Sequence, residues 1–373
     1  MEKLKIAKKN AVSEVLYRLN VQSKIDLRLL EEAFDSILSN YKRSIRDIQL
    51  GAILTGIMAR GPTTDEIVTL LKSVFKLDKF NPRNKYKINM PKNELLVGAI
   101  GSGKKGVKTM NISTPALLTA ASAGAFTAKV ASSSTSSLTG SADFLREVGM
   151  NLNIPIKEME KVITKTGFGA FTIENLLPKF DLVYAKRFYA PHALSFGLAA
   201  LASPIRYDSF LYGLAHPNIT LSVNVLKKFG IRNAMVVSTS NDGIHYLDEM
   251  GVYGITKIKG IRNGKIGYTK EFNPLIELNL PKYSPRDICE GKNKNENITM
   301  VTDVLRGKGG KAREDIICIN AGTVLYLAKK AKDLKEGYKI SKDIIKHGLP
   351  FKKLLEVVRE SGGDEKRIKR FVK

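Results

Sequence analysis

Apolar side chains near the start of the chain recur at steps of three and four: Val12, Val15, Leu16 and Leu19, then Leu29, Leu30, Ala33, Phe34 and Ile37. Such spacing gathers each set on one face of a 3.6-residue helix, so residues 11 to 75 read as amphipathic helices. The clearest boundary is "ARGPTTDEIVTLL". There Pro62 follows Gly61, and Thr64 precedes Asp65 and Glu66, side chains suited to the unpaired N–H groups and positive end of a helix N-terminus. Residues 1–78 are expected to form a small all-helical domain.

From Leu95 the pattern changes to short apolar runs, glycine- or serine-rich turns and alanine-rich helical stretches, an α/β rhythm. "LLVGAI" predicts a strand running into "GSGKKG", and "TPALLTAASAGAFTA" a small-residue helix able to pack close to a sheet. "SVNVLKKFG" predicts a helix and "AMVVST", after it, a second buried strand. "YGITKIKGIRNGKIGYTKEF" alternates as a hairpin does, with Asn263 and Gly264 at its turn. Residues 79–373 are assigned to a large α/β domain.

A chain of 373 residues, 43% hydrophobic, can bury a substantial core, and it contains no apolar run of membrane-spanning length. Its opening, "MEKLKIAKKN", lacks the apolar stretch of a secretory signal, so the expected location is cytoplasmic, with no membrane partner. Cys289 and Cys318 match no metal or disulfide spacing. His192, His216, His245 and His347 never form an i, i+4 pair and are read as structural or surface residues.

Charge changes the picture more. Lys+Arg number 61 against 36 Asp+Glu, a formal net charge of +25, which attracts phosphates, nucleic acids and anionic substrates. Ion-pair-rich thermophile surfaces usually balance the two signs, so the imbalance favours an anionic partner. Between residues 72 and 108 stand Lys72, Lys76, Lys79, Arg83, Lys85, Lys87, Lys92, Lys104, Lys105 and Lys108 against Asp78 and Glu94. This run is either a solvated linker or an anion-attracting rim.

The candidate chemistry starts at Gly101, Gly103 and Gly106. A glycine-rich loop between strand and helix lets backbone N–H groups approach phosphate oxygens, and the helix N-terminus adds a favourable dipole. Thr109, Asn111, Ser113 and Thr114 follow in "TMNISTP", small oxygen-bearing side chains that suit pyrophosphate or an oxygen-loving magnesium ion. Lys129 adds a cation. "ASSSTSSLTGSAD" then supplies a second hydroxyl-rich turn, which by itself reads equally as an N-capping serine cluster.

Taken in order, "GSGKKG", "TMNIST", "KVASS", "GSAD" and, further on, "LDEMGVYGITKI" resemble the phosphate- and metal-binding motifs of the anthranilate phosphoribosyltransferase family. The likeness extends through the C-terminal helices and covers most of the chain. It implies a small N-terminal helical domain, completed by helices near 165–195, and a large α/β domain with a central mixed sheet flanked by helices. Carried over by position, it implies that Gly101, Gly103, Thr109, Asn111, Ser113, Thr114, Lys129 and Ser141 contact phosphoribosyl pyrophosphate. Ser113, Asp248 and Glu249 would hold magnesium (Mg2+); an Asp-Glu pair alone would read as a solvated surface turn. The family is commonly homodimeric through its small domain. The apolar face of the first helices fits such a contact or a buried core.

Departures concentrate in two places. The family's Gly-Asp pair in the loop is replaced by Lys104 and Lys105, and its His-Gly-Asn-Arg segment by Val130, Ala131, Ser132 and Ser133. The arginine that meets the anthranilate carboxylate aligns with Lys186, next to Arg187, and lysine lacks arginine's bidentate grip. Losing two or three polar contacts of roughly 1–3 kcal/mol each weakens acceptor binding by orders of magnitude.

The expected function is therefore phosphoribosyl transfer to an unknown acceptor, nominally anthranilate but expected to differ. A nucleoside phosphorylase of the same superfamily fits "TMNIST" and "GSAD" less well. The alternative is a protein binding DNA or RNA on this scaffold through the 72–108 run, Lys257, Lys259, Arg262 and Lys265, and the C-terminal "KRIKRFVK".

Overall fold

The computed structural model describes residues 10–134 and 137–372; the lysine-rich opening at 1–9, Thr135 and Ser136 of the serine-rich turn, and Lys373 of the basic C-terminus lie outside them. The predicted amphipathic segment forms four helices, α1 (Ala11–Asn20), α2 (Leu27–Ser39), α3 (Arg43–Arg60) and α4 (Thr64–Leu77). Val12, Val15, Leu19, Leu30, Ala33, Phe34 and Ile37 are all buried, as their spacing requires. The cap of α4 is Thr63, one residue before the expected Thr64. Its hydroxyl accepts from Glu66 N at 3.3 Å while the Glu66 carboxylate accepts from Thr63 N at 3.0 Å, a reciprocal capping box. Arg60 closes onto the same carboxylate.

The α/β part is built on strands β1 (Leu96–Gly101), β2 (Phe126–Ala131), β3 (Phe168–Thr172), β4 (Ser209–Gly213), β5 (Ala234–Ser240), β6 (Ile255–Arg262), β7 (Lys265–Ile266) and β8 (Lys270–Phe272). Their order is β3-β2-β1-β4-β5-β6-β7, with β8 also on β6. The pairs from β3 to β5 are parallel, and β6 joins β5 antiparallel, so the sheet is mixed. The hairpin turn lies at Asn263 and Gly264, both at positive φ (50° and 79°), as a tight two-residue connection demands.

Two expectations need correction. The small-residue helix α5 (Ser113–Ser122) stops at the turn around Gly124, and "AFTAKVA" crosses to become β2. "AMVVST" is the fifth strand, not the second: β2, β3 and β4 precede it and are buried along almost their whole length. A strand buried on both faces lacks the polar alternation that marks it in sequence.

One face of the sheet packs against α5, α7 (Ile156–Thr166), α13 (Lys294–Leu305), α14 (Lys311–Leu327) and α16 (Leu349–Glu360), with α6 (Ser141–Glu147) joining the same core. On the other face α11 (Ile219–Lys228) and α1–α4 share a core with Phe210, Tyr212 and Val236 of the sheet. That second core also takes in Leu177, Phe180, Val183, Leu194 and Leu201, which lie on or beside α9 (Pro178–Tyr184), just after the single turn α8 (Ile173–Leu176), and α10 (Leu198–Leu201). Val162 and Ile163 of α7 belong to the first core. The short α12 (Pro274–Glu277) and α15 (Leu334–Lys346) complete the order. Among the described residues no helix is long and apolar enough to cross a membrane.

Candidate active site

β1 and β4 are neighbours, yet the chain leaves β1 toward β2 and β3 before returning to β4 on the other side. Parallel sheets open a crevice at the carboxyl ends of strands where the connections diverge in this way. A cavity of about 370 Å³ lies there, lined by the loop after β1, the start of α5, Lys129 of β2, the serine-rich turn, α8–α9, Tyr212 and the Asp248–Glu249 pair.

The floor depends on two glycines. Gly101 and Gly213 are paired across β1 and β4, and the Asp248 segment lies directly on them. A Cβ at Gly213 would overlap the Asp248 carbonyl, and one at Gly101 its carboxylate. This close approach lets Gly103 N donate to Asp248 Oδ2 at 2.7 Å. The acidic pair and the glycine loop, 145 residues apart, are thus one structure. Gly106, expected in the loop, does not line the cavity; its N–H donates to Tyr246 O at 2.9 Å and it packs against His245.

Lys129 is 1% exposed, and its Nζ donates to Ser113 Oγ at 2.7 Å and Thr114 Oγ1 at 3.0 Å. Burial pushes the Lys129 ammonium down from its usual range; Glu249 and Asp248 oppose this, and Lys105 adds to it. Glu249, also buried, is pushed up by burial and then by Asp248, against Lys105 and Lys129. Asp248 Oδ1 is buried with no hydrogen-bond partner among the described residues, and Lys105 Nζ stands 3.8 Å away.

An unpaired carboxylate oxygen beside a second carboxylate and a serine hydroxyl suits a hard divalent cation. Magnesium typically takes one or two carboxylates and completes its shell with water and substrate phosphate. Asp248, Glu249 and Ser113 all border the cavity, so the donor set fits that ion.

The other predicted residues fall as follows. Thr109, Asn111, Ser113 and Ser141 line the cavity. Helices α5 and α6 begin at Ser113 and Ser141, so the positive ends of both point at the cavity, although Thr114 N and Ala142 N already donate within the protein, to Asn111 Oδ1 at 3.3 Å and to Ser132 O. Thr114 itself is not part of the lining; it is fully buried behind Lys129. Lys186 lines the far side, but Arg187, expected beside it, is turned away: its Nε meets Asp47 Oδ2 of α3 at 3.0 Å and its Nη1 donates to Ala185 O.

That far wall joins Lys104 of the loop and His192 to Tyr184, Glu174 and Asp181, which carry no motif in the sequence. Lys104, at φ +59°, sends its ammonium to Tyr184 Oη at 2.6 Å and over the Tyr184 ring. Tyr184 Oη in turn lies 3.0 Å from His192 Nε2, in hydrogen-bond contact. Burial, then the nearby Lys104 charge, hold His192 well below its ordinary pKa, which keeps the ring neutral. Glu174 and Asp181 also line this wall. Glu174 Oε1 accepts from Ser133 N at 2.6 Å, whereas its Oε2 is buried without a partner among the described residues. Burial, then Glu174, raise Asp181. Ser134 N and Gly140 N both donate to Asp143 Oδ2, which fixes the serine turn beside the opening.

Six residues of the basic 72–108 run divide between two places, and Lys76 pairs instead with Asp35 of α2. Lys104, Lys105 and Lys108 belong to this cavity, whereas Arg83, Lys85 and Lys87 join Arg206 and Arg232 around a groove of about 660 Å³ at the amino ends of β4 and β5. The β6–β7 turn abuts that groove: Gly264 N donates to Arg232 O, and Asn263 N to Asn233 Oδ1. In the C-terminal basic segment, Arg367 and Arg370 pair with Glu147.

The chain is similar to known proteins over most of its length. The model of a family described as "Glycosyl transferase family, a/b domain" matches residues 93–350. The anthranilate phosphoribosyltransferase of Caldanaerobacter subterraneus subsp. tengcongensis is 28% identical over 366 residues, covering 96% of this chain and 99% of that protein. That of Acetivibrio thermocellus is 29% identical over 342 residues, covering 88% and 90%. Among solved structures, anthranilate phosphoribosyltransferase from Thermus thermophilus has a TM-score of 0.73 at 21% identity, covering 95% of this chain and 100% of that one. The Saccharomyces cerevisiae enzyme in complex with PRPP and Mg gives 0.76 at 17%, covering 95% and 99%.

Proposed function

The chain belongs to the glycosyl transferase family matched over residues 93–350, that of the anthranilate phosphoribosyltransferases, and on this premise we propose that it transfers a phosphoribosyl group from magnesium phosphoribosyl pyrophosphate to an acceptor other than anthranilate. The observation that carries the donor half is the seating of Asp248 on Gly101 and Gly213, with Gly103 N bonded to its carboxylate. This brings Gly101, Gly103, Ser113 and Lys129 to the same strand-end cavity as the Asp248–Glu249 pair, which supports the reading.

The reaction is displacement at the anomeric carbon of the ribose, with pyrophosphate leaving. Asp248, Glu249 and Ser113 would hold magnesium, which would supply charge neutralisation to the departing pyrophosphate. Lys129, fixed by two hydroxyls, offers a preorganised positive charge to the same oxygens, with the dipole of α5 behind it. Asn111 and Ser141 orient the diphosphate by hydrogen bonds, while Thr109, whose hydroxyl proton goes to the Met110 carbonyl, anchors Lys105 beside it. No strong general acid is needed for so competent a leaving group.

The acceptor half differs in kind from a carboxylate pocket. Arg187 is engaged by Asp47, Lys104 by Tyr184, and the wall presents Glu174 and Asp181, one oxygen of Glu174 being buried and unpaired among the described residues. An acceptor offering N–H donors satisfies that wall; an acceptor offering a carboxylate brings like charge to it. Incubation with magnesium, phosphoribosyl pyrophosphate and anthranilate is expected to leave anthranilate unconsumed, as followed by its fluorescence. Turnover at an ordinary enzymatic rate, on the order of 10 per second, contradicts this acceptor assignment.

One observation favours a second, compatible reading. The groove formed by Arg83, Lys85, Lys87, Arg206 and Arg232 adjoins the basic hairpin, so two basic segments distant in sequence become one surface. Such a surface suits the phosphate backbone of a nucleic acid, and retention of a single-stranded oligonucleotide at low salt is its test.

A further inference from the structure

Lys104 and Lys105 replace a glycine and an aspartate of the family loop, and their side chains part company. Gly103 at φ +70° and Lys104 at φ +59° turn the backbone sharply. One ammonium then points to Tyr184 and the other back toward the acidic pair. Lys105 Nζ donates to Thr109 Oγ1 at 2.6 Å, and Thr109 passes its own proton to the Met110 carbonyl at 3.0 Å. That polarity leaves the hydroxyl free to accept and pins the ammonium. From there it stands 3.8 Å from Asp248 Oδ1, the carboxylate oxygen with no hydrogen bond. Both Lys105 and Asp248 line the cavity, so the ammonium faces a carboxylate on one side and the diphosphate space on another.

We propose that Lys105 is a built-in cation that takes over part of a metal ion's role, bridging the Asp248 carboxylate and the bound diphosphate, so that this chain holds diphosphate without a divalent ion. The inference rests on the diphosphate reading of the cavity and deepens it. The charge pattern explains why the substitution is tolerated: Lys105 and Lys129 face Asp248 and Glu249, so two cations offset two carboxylates before any ligand arrives. An aspartate in place of Lys105 would add a third carboxylate and leave the cluster dependent on metal. A tethered ammonium carries less charge than magnesium but needs no capture from solution.

The test is calorimetric titration of the full chain with inorganic pyrophosphate, once in excess EDTA and once in magnesium. The wild type is expected to bind in EDTA with a dissociation constant within about tenfold of the magnesium value, the worth of one charge-assisted hydrogen bond. Lys105→Gln is expected to lose at least about tenfold in EDTA and to recover on adding magnesium, while Lys105→Arg retains metal-free binding. Recovery with magnesium also shows that the glutamine variant is folded. Wild-type binding that requires magnesium overturns the inference and leaves the diphosphate reading intact. Metal-free binding that survives Lys105→Gln also overturns it, assigning the role to Lys129. Absence of binding under both conditions overturns the diphosphate reading and this inference with it.

Discussion

A methyl group at Gly213 has no space, because it would overlap the main chain of Asp248. Gly213→Ala is therefore expected to lower stability by about 1–3 kcal/mol, the usual range for overpacking, and to weaken magnesium pyrophosphate binding at least about tenfold as the carboxylate is displaced. Denaturant unfolding and titration of the same preparation check both effects; wild-type values in each contradict the seating of Asp248. At this scale the sequence was partly readable. The loop and "TMNIST" stand out because their residues are adjacent, whereas Asp248 and Glu249 carry meaning only through motif order. The Lys104–Tyr184–His192 chain left no local signal, since its first link joins residues 80 positions apart. Arg187 was misplaced for a related reason. Its neighbour Lys186 does face the cavity, but nothing in the segment announces Asp47 as the partner that draws Arg187 away.

Helices α1–α4 were legible because each has one buried and one solvated face, so the 3.6-residue period survives in the sequence. Strands β2, β3 and β4 were not, because both their faces are covered. Alanine-rich "TPALLTAASAGAFTA" concealed its helix-to-strand change because small residues serve both elements; only Gly124, at φ +85°, marks the break. Helix α3 shows a further feature at this scale. Its inner positions Leu50, Ile53, Leu54 and Ile57 are fully buried, while Ile48 is 73% exposed, with Ile45 and the preceding Tyr41 also exposed. Exposed apolar groups on adjoining turns form a patch suited to association. The homodimer expected from the family resemblance would use this face. Sedimentation at micromolar concentration is expected to give twice the 41.2 kDa chain mass, and Ile48→Glu is expected to give the monomer with unchanged helical content. A wild type sedimenting at the mass of one chain contradicts that assignment.

Across the whole molecule the +25 charge is not a uniform shell. Two basic clusters stand at opposite ends of the sheet: Lys104, Lys105, Lys108, Lys129 and Lys186 in the strand-end cavity, where Glu174, Asp181, Asp248 and Glu249 offset most of their charge, and Arg83, Lys85, Lys87, Arg206 and Arg232 in the groove beside the β6–β7 turn. The 72–108 run contributes to both, which its linear sequence could not disclose, because β1 carries the chain from one end of the sheet to the other between Lys87 and Lys104. Two separate clusters permit separate tests. If the groove binds single-stranded nucleic acid through four phosphate contacts, log affinity should fall against log salt with a slope of roughly −3. It should weaken in Arg206→Ala and Arg232→Ala while magnesium pyrophosphate binding persists. An affinity indifferent to salt contradicts the second reading.

The central claim concerns the cavity, and its most direct measurement is calorimetric titration with phosphoribosyl pyrophosphate in the presence of magnesium, on the wild type and on Asp248→Asn. The account predicts one saturable site per chain in the wild type and affinity lower by at least about tenfold in the variant. No heat of binding in the folded wild type, or equal binding by both proteins, would contradict it.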